Sequence, residues 1–424
     1  MPSSGRRVKT FRDIIAARDR DATMNPSRRT LLLALPGLTF LRHLEARPRL
    51  RITGFELLPV RATERTVWLF VRLKTDAGLS GLGEASDAFG FANTTKQDAA
   101  RMENEFRSFF QLAEGKSPLD VEAYRAQGFS RAASGLVSAT AFSAIEQAMW
   151  DLAGKSLDVP AYSLFGGRIR TMLPVYANIN RATRTRTPAG FAETAKAAVK
   201  DGFRAIKGAP WDGFPPPGAP APAIAAAVEN GIACVAAMRD AVGPDVAVMV
   251  DCHSFFDPPL AERVASRLEP YNLTWYEEPV SPERVADTLE IHRAIRQPMA
   301  AGEVLFGVRG FEPLCRQQAV NVIMPDVKHC GGLLELTRIA ALAAADGLTV
   351  APHNPSGPVS TAASVQVCAP MANFKILELQ WGEVAWRSEC IDPPERFVQG
   401  TIAVPDRSGF GIALNNRVVK AHQI

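Results

Sequence analysis

The sequence predicts an α/β protein whose larger part is a closed parallel (β/α)8 barrel, joined to a smaller α+β domain. Three observations carry this expectation. From Met172 onward, eight apolar runs each end in polar residues and lead into a longer amphipathic stretch: LPVYANIN, FRAIKGAPW, VAVMVDCH, LTWYEEP, PMAAGEVL, VNVIMPDVK, LTVAPHN and KILELQ. The polar ends are evenly spaced, with 26 positions from Asp251 to Glu277, 26 to Glu303, 23 to Asp326, 27 to His353 and 25 to Glu378. Such a step holds one strand, one helix and two short loops. The runs are apolar throughout rather than alternating, as strands covered on both faces are. Eight such units suit a closed barrel better than an open sheet.

Bulk properties bound what the chain can be. With 424 residues, 47% hydrophobic and 22% charged, it has the composition of an ordinary globular protein, which excludes disordered and collagen-like classes. The formal charge of +4 is unevenly spread: residues 1–49 hold 11 Lys/Arg against 4 Asp/Glu, so the remainder is mildly acidic. No basic patch with interleaved aromatics follows, and nucleic acid is not expected as a partner. No uninterrupted apolar run reaches the roughly 18 to 20 residues of a bilayer span, so no transmembrane segment is expected. The six cysteines show no CxxC pair and no regular spacing, and read as buried thiols.

Residues 1–49 form a basic leader. Within it Ser27–Leu41, SRRTLLLALPGLTFL, resembles a bacterial twin-arginine export signal, although Arg42 and His43 close the apolar stretch and LEARPRL is a poor cleavage site. A plain basic extension fits the same composition, so the expected location is either the cytoplasm or, through that signal, the periplasm. Residues 50–170 read as the α+β domain. RITGFELLPV and TVWLFVRLKTDAGLSGLGEA are antiparallel strands around a turn with Asp76 and Gly78, and ATAFSAIEQAMWDLAGKSL has helical spacing. The barrel occupies residues 171–380, interrupted after its second strand by PWDGFPPPGAPAPA (210–223), whose prolines predict a loop at the barrel's C-terminal face. That loop either borders a ligand or is a tolerated insertion. The tail, 381–424, reads as short strands returning to the first domain.

In a barrel of this kind, polar residues at strand ends point into its mouth. Asp251, Glu277 and Glu303 then converge from three neighbouring strands. Three carboxylates so placed repel one another unless a cation sits between them, and an all-oxygen set suits Mg²⁺ better than zinc. Any one of them alone would read as a surface charge. His353 and Asp326, from adjacent strands, make a general base with an orienting carboxylate. Lys207 and Glu378 occupy two further strand ends, and for Glu378 a structural role is the plain alternative. His253 is either a reacting group or a supporting partner of the metal ligands. His43, His292, His329 and His422 read as ordinary polar residues.

VMVDCHSFF, TWYEEPV, MAAGEVLFG, MPDVKHCGG and VAPHNPSGPVS, with AFSAIEQAMWDLAGKSLDVPAYSLFGG before the barrel, resemble the enolase superfamily, mandelate racemase subgroup. The likeness covers nearly everything from Arg51 onward. It implies a TIM-type barrel closed over by a capping domain built from the N-terminal region and the tail. It also implies Mg²⁺ held by Asp251, Glu277 and Glu303, proton abstraction beside a carboxylate by the His353–Asp326 dyad, and a homo-oligomer. Racemases of the family end the second strand with Lys-x-Lys; here Lys207-Gly208-Ala209 stands instead, and Ala209 cannot take a proton. The DCH and PHNPSGPV strings are similar to those of acid-sugar dehydratases of the galactonate dehydratase type, where a His in the position of His253 assists departure of the hydroxyl. The implied activity is dehydration of a sugar acid to a 2-keto-3-deoxy acid, with Lys207 near the substrate carboxylate or hydroxyls and Glu378 bonded to a carboxylate oxygen. An epimerase, racemase or cycloisomerase on a similar acid, and a non-catalytic metal-containing binding protein, are the alternatives.

Overall fold

The computed structural model describes residues 50–87 and 96–424. The leader with Ser27–Leu41, and residues 88–95, lie outside the described residues. The first elements are β1 (Ile52–Arg61), β2 (Val67–Thr75) and β3 (Ser80–Glu84), an antiparallel sheet in that order. Three helices follow: α1 (Lys96–Ala113), α2 (Val121–Ala132) and α3 (Leu136–Leu157). Leu69, Val71 and Leu73 of β2 bury one face of the sheet against Phe106, Phe109, Phe142 and Ile145 of the helices. β3 approaches the backbone of α3 so closely that a Cβ at Gly83 would lie 2.0 Å from the Ala144 carbonyl oxygen. α3 stops where Asp158 turns left-handed at φ 55° and its N–H closes back onto Gly154 and Lys155.

The barrel strands are β4 (Met172–Asn178), β5 (Ala205–Gly208), β6 (Ala247–Asp251), β7 (Trp275–Glu277), β8 (Met299–Ala301), β9 (Val322–Ile323), β10 (Thr349–Val350) and β11 (Leu377–Gln380). Each falls within one of the eight apolar runs, except that β4 begins one residue before LPVYANIN. β4 to β10 lie side by side in chain order, all parallel, and β11 pairs with β4. The remaining seam, between β10 and β11, is crossed by the Val350–Phe374 bridge and by the Glu378 N–H donating to the Pro352 carbonyl at 3.3 Å.

Helices α4 (Pro188–Lys200), α5 (Ala221–Val242), α6 (Pro258–Leu268), α7 (Val285–Ala294), α8 (Gly307–Arg316), α9 (Gly332–Ala345) and α10 (Pro358–Cys368) follow the first seven strands. Two start with the same device. Thr187 and Asp257 accept the N–H groups of Gly190 and Leu260, and Pro188 and Pro258 occupy the first turn, where no intrahelical donor is lost. The same tolerance corrects the expectation of a loop through residue 223: α5 begins at Ala221, with Pro222 in its first turn. α5 is also long and apolar enough to cross a bilayer by length and composition. In this fold it is a barrel helix that buries Val228, Ile232, Val235 and Met238 in the core.

In the tail, β12 (Ile391–Asp392) pairs with β15 (Ala413–Leu414). The hairpin β13 (Phe397–Val398) and β14 (Thr401–Ala403) adds antiparallel to β4. α11 (Asn416–His422) leads to Ile424, whose N–H donates to the Pro59 carbonyl of β1. All six cysteines are free and buried.

Candidate active site and metal centre

Strand alternation explains which side chains meet. Tyr176, Ala205, Met249, Trp275, Ala300, Val322, Met324 and Ala351 pack together inside the barrel, with Ile376 against them. Two residues after Tyr176, Ala205, Met249, Trp275, Met324, Ala351 and Ile376 come Asn178, Lys207, Asp251, Glu277, Asp326, His353 and Glu378, on the same inward face and one layer nearer the C-terminal end. Glu303 breaks the rule, lying three residues after Ala300. The extra residue is taken up at Gly302, whose φ of 116° excludes most side chains.

Asp251, Glu277 and Glu303 are buried, and each offers a carboxylate oxygen within 4.8 Å of the other two. Burial and then neighbouring carboxylates, Asp251 for Glu277 and Glu278 for Glu303, push both glutamates well above the usual range. At Asp251 burial is outweighed by His253 and Lys207, and the carboxyl is held low. Glu303 Oε2 is buried without a hydrogen bond among the described residues, although His353 Nε2 lies 3.2 Å away. An orphaned carboxylate oxygen in a three-acid cluster is a donor set that fits a hard divalent cation; no thiolate or imidazole that would favour zinc belongs to it.

Lys207 lies among these acids. Its Nζ is 2.6 Å from Glu277 Oε1, 3.2 Å from Glu378 Oε1 and 3.4 Å from Asp251 Oδ2, with the side chain 1% exposed. Burial depresses the ammonium, but Glu277 and Glu378 outweigh it and hold Lys207 firmly protonated. The ammonium thus meets three carboxylates, where the sequence reading expects it near the substrate carboxylate or hydroxyls. Glu378 is likewise occupied. Oε1 accepts Asn178 Nδ2 at 2.7 Å and Oε2 accepts the Asn354 N–H at 2.9 Å. Burial would raise it, yet Lys207 and His353 hold it below the usual range.

His353 Nδ1 is 2.7 Å from Asp326 Oδ2. Asp326 also accepts the Lys328 backbone N–H at 2.7 Å and Lys328 Nζ at 2.5 Å. Despite complete burial, Lys328 and the nearby imidazoles keep Asp326 far below the usual carboxylate range. An anionic Asp326 requires Nδ1 to donate, which turns Nε2 of His353 toward the acidic cluster. His253 sits at the other side. Its Nε2 is 3.1 Å from Asp251 Oδ2 and its Nδ1 2.5 Å from Asp212 Oδ1. Burial lowers the imidazole, but Asp251 and Asp212 together raise it well above its ordinary value. A cavity of about 1050 Å³ opens over both histidines, lined by Thr63 and Arg65 of the β1–β2 turn and by Asn180, Arg186 and Asp212.

Residues 190–418, more than half the chain, match the family described as Enolase C-terminal domain-like. The chain belongs to the enolase superfamily. Residues 56–166 match the mandelate racemase / muconate lactonizing enzyme N-terminal domain, which places this enolase-superfamily enzyme in the mandelate racemase subgroup. It is 33% identical over 366 residues to a D-xylonate dehydratase of Haloferax volcanii, covering 84% of this chain and 85% of that one. A D-galactonate dehydratase of Variovorax paradoxus is 32% identical over 320 residues, 74% of this chain and 78% of its own. A mandelate racemase/muconate lactonizing enzyme from Jannaschia sp. superposes with a TM-score of 0.77 at 29% identity, over 88% of this chain and 98% of that one.

Four residues of this enolase-superfamily site escape the sequence reading. Asp212 lies in the proline-rich stretch, and Lys328 follows two residues after a strand-end acid. Glu278, the second of the EEP pair, accepts the N–H groups of Gly302 and Glu303. His329, expected to be an ordinary loop residue, is buried with Nδ1 2.9 Å from Thr140 Oγ1 of α3.

Proposed function

We propose that this enolase-superfamily enzyme is a Mg²⁺-dependent sugar-acid dehydratase, a carbon–oxygen lyase acting on an aldonate or aldarate. The observation that carries the reading is the pair of imidazoles at the two outer carboxylates of the acidic cluster, His353 at 3.2 Å from Glu303 and His253 at 3.1 Å from Asp251. β-Elimination needs one group that takes a proton and another that gives one. Asp251, Glu277 and Glu303 would hold the ion, which when bound supplies Lewis-acid stabilisation of charge developing on the substrate carboxylate. His353, with Nδ1 committed to Asp326, receives the α-proton on Nε2. His253 protonates the β-hydroxyl as the C–O bond breaks, water leaves, and the enol relaxes to a 2-keto-3-deoxy acid. Lys207 and Glu378 remain a buried charged pair that holds Glu277 and the His353 segment in place. The dehydratase names of the xylonate and galactonate relatives support the substrate class, as do the polar groups lining the cavity.

Ala209, where racemases carry a second lysine, leaves opposed-base racemisation without one of its bases. Incubation with Mg²⁺ and D-xylonate or D-galactonate, followed by NMR, is expected to yield a 2-keto-3-deoxy acid; recovery of an epimer instead would replace elimination by isomerisation. His353→Asn is expected to abolish exchange of the α-proton in deuterated buffer, and persistence of that exchange removes His353 as the base.

A further inference from the structure

The proline-rich stretch after β5 is pinned to the segment after β6 that bears His253. Trp211 is buried and meets the Phe256 ring edge-on at 5.2 Å, while Phe214 lies 5.3 Å from Phe256 and 6.2 Å from Phe255. α5 leaves room for Trp211 only because residue 231 is glycine: a Cβ there would come within 2.1 Å of the indole nitrogen. Between these anchors Asp212 turns into the cavity. Its Oδ1 is 2.5 Å from His253 Nδ1, and its Oδ2 accepts Asn180 Nδ2 at 2.6 Å and faces Arg186 at 3.2 Å. Arg186 in turn donates to Asn180 Oδ1 at 2.5 Å. His253 and Ser254 both adopt left-handed backbone, φ 45° and 59°. Such conformations cost energy in residues with side chains and persist where the surroundings impose them.

We infer that Asp212 is the positioning residue of His253: by accepting from Nδ1 it fixes the tautomer and directs Nε2 at the reacting end of the cavity, a second Asp–His pair dedicated to departure of the hydroxyl. The inference rests on the dehydratase reading. It answers the sequence's open alternative for this stretch, which borders the ligand cavity and acts through His253. In the step it serves, the C3–O bond breaks with its electron pair going to oxygen, the Nε2 proton joins that oxygen to release water, and the imidazole is left neutral. Asn180 and Arg186 hold the Asp212 carboxylate from its other oxygen.

The test compares wild type, Asp212→Ala, Asp212→Asn and His253→Asn with Mg²⁺ and two probes. One is whichever of D-xylonate and D-galactonate the wild type dehydrates, and the other is its 3-deoxy-3-fluoro analogue, whose fluoride leaves without a proton. Asp212→Ala is expected to lower kcat on the hydroxy acid about 100-fold or more, the scale of lost general-acid help, with KM little changed. On the fluoro analogue it is expected to keep most of the wild-type rate. Asp212→Asn, which still offers an acceptor oxygen to Nδ1, is expected to fall in between, and combining Asp212→Ala with His253→Asn to be no slower than His253→Asn alone. Equal losses on both probes, or no loss on the hydroxy acid, overturn the assignment. A wild type that dehydrates neither acid fails the dehydratase reading itself, before any variant is compared.

Discussion

Glu278 holds the backbone at Glu303: its Oε1 accepts the backbone N–H of Gly302 at 2.7 Å and of Glu303 at 3.3 Å. Glu278 itself has φ 37°, so the turn after β7 is bent to bring its carboxylate under the next strand's end. Removing that support loosens the one acid of the candidate metal site that sits off the strand register. Glu278→Ala is therefore expected to weaken Mg²⁺ binding by about 10- to 100-fold, the range for partners of metal ligands. Isothermal titration calorimetry with MgCl₂ measures it; unchanged affinity would show that Glu303 is held by other means.

Lys207 compensates three buried acids at once, at 2.6 to 3.4 Å. Lys207→Met fills the volume and strands the charges. Loss of one partner in a buried ionic cluster costs about 3–5 kcal/mol, which is the destabilisation expected in urea unfolding with EDTA present. A much smaller loss would mean that water reaches the cluster.

Glu146 of α3 accepts the N–H groups of Leu333 and Leu334 at the start of α9, and Trp150 Nε1. Burial outweighs those donors and raises its carboxyl to about 7. Because this value lies above that of the unfolded chain, the contribution of Glu146 to stability is complete below about pH 4.5 and is lost as the pH rises through about 7. The loss amounts to about 3 kcal/mol. Glu146→Gln is expected to flatten the pH dependence of unfolding between pH 5 and 8, as read from urea midpoints.

His329 acts with the opposite sign. Burial lowers its imidazole to about 4, so it contributes stability above about pH 6.5 that is lost as the pH falls through about 4. Its share is again about 3 kcal/mol. His329→Gln is expected to shift the acid limb of the unfolding curve to lower pH; an unmoved limb would assign acid sensitivity to other groups.

Much of the architecture was legible because continuous apolar runs with polar ends, and their 23- to 27-residue rhythm, act locally. Asp251, Glu277, Glu303, Asp326, His353 and Glu378 could be picked out as the polar ends of successive runs; that all but Glu303 follow an interior residue by two is visible only in the fold. Alternation gives a side chain's face but not its partner. It set Lys207 inside the barrel without telling whether the ammonium meets substrate or the strand-end acids, and it gave Glu378 no hydrogen-bond donors. Asp212 follows a strand by four residues in a segment with no period, so nothing local ties it to His253. The polar row on α3 was the readable signal left unused. Thr140, Ser143, Glu146 and Gln147 interrupt an apolar helix and are all buried, which requires partners that only the fold supplies.

Those four side chains reach His329, Gly331, Leu333, Leu334 and Val327, all within the segment that follows Asp326. α3 thus behaves as a keystone rather than as part of a detachable lid. Grafting the barrel alone onto a relative's small domain would leave the stretch beside the His353–Asp326 pair without its scaffold, and a working chimera has to inherit this helix along with the strands it steadies.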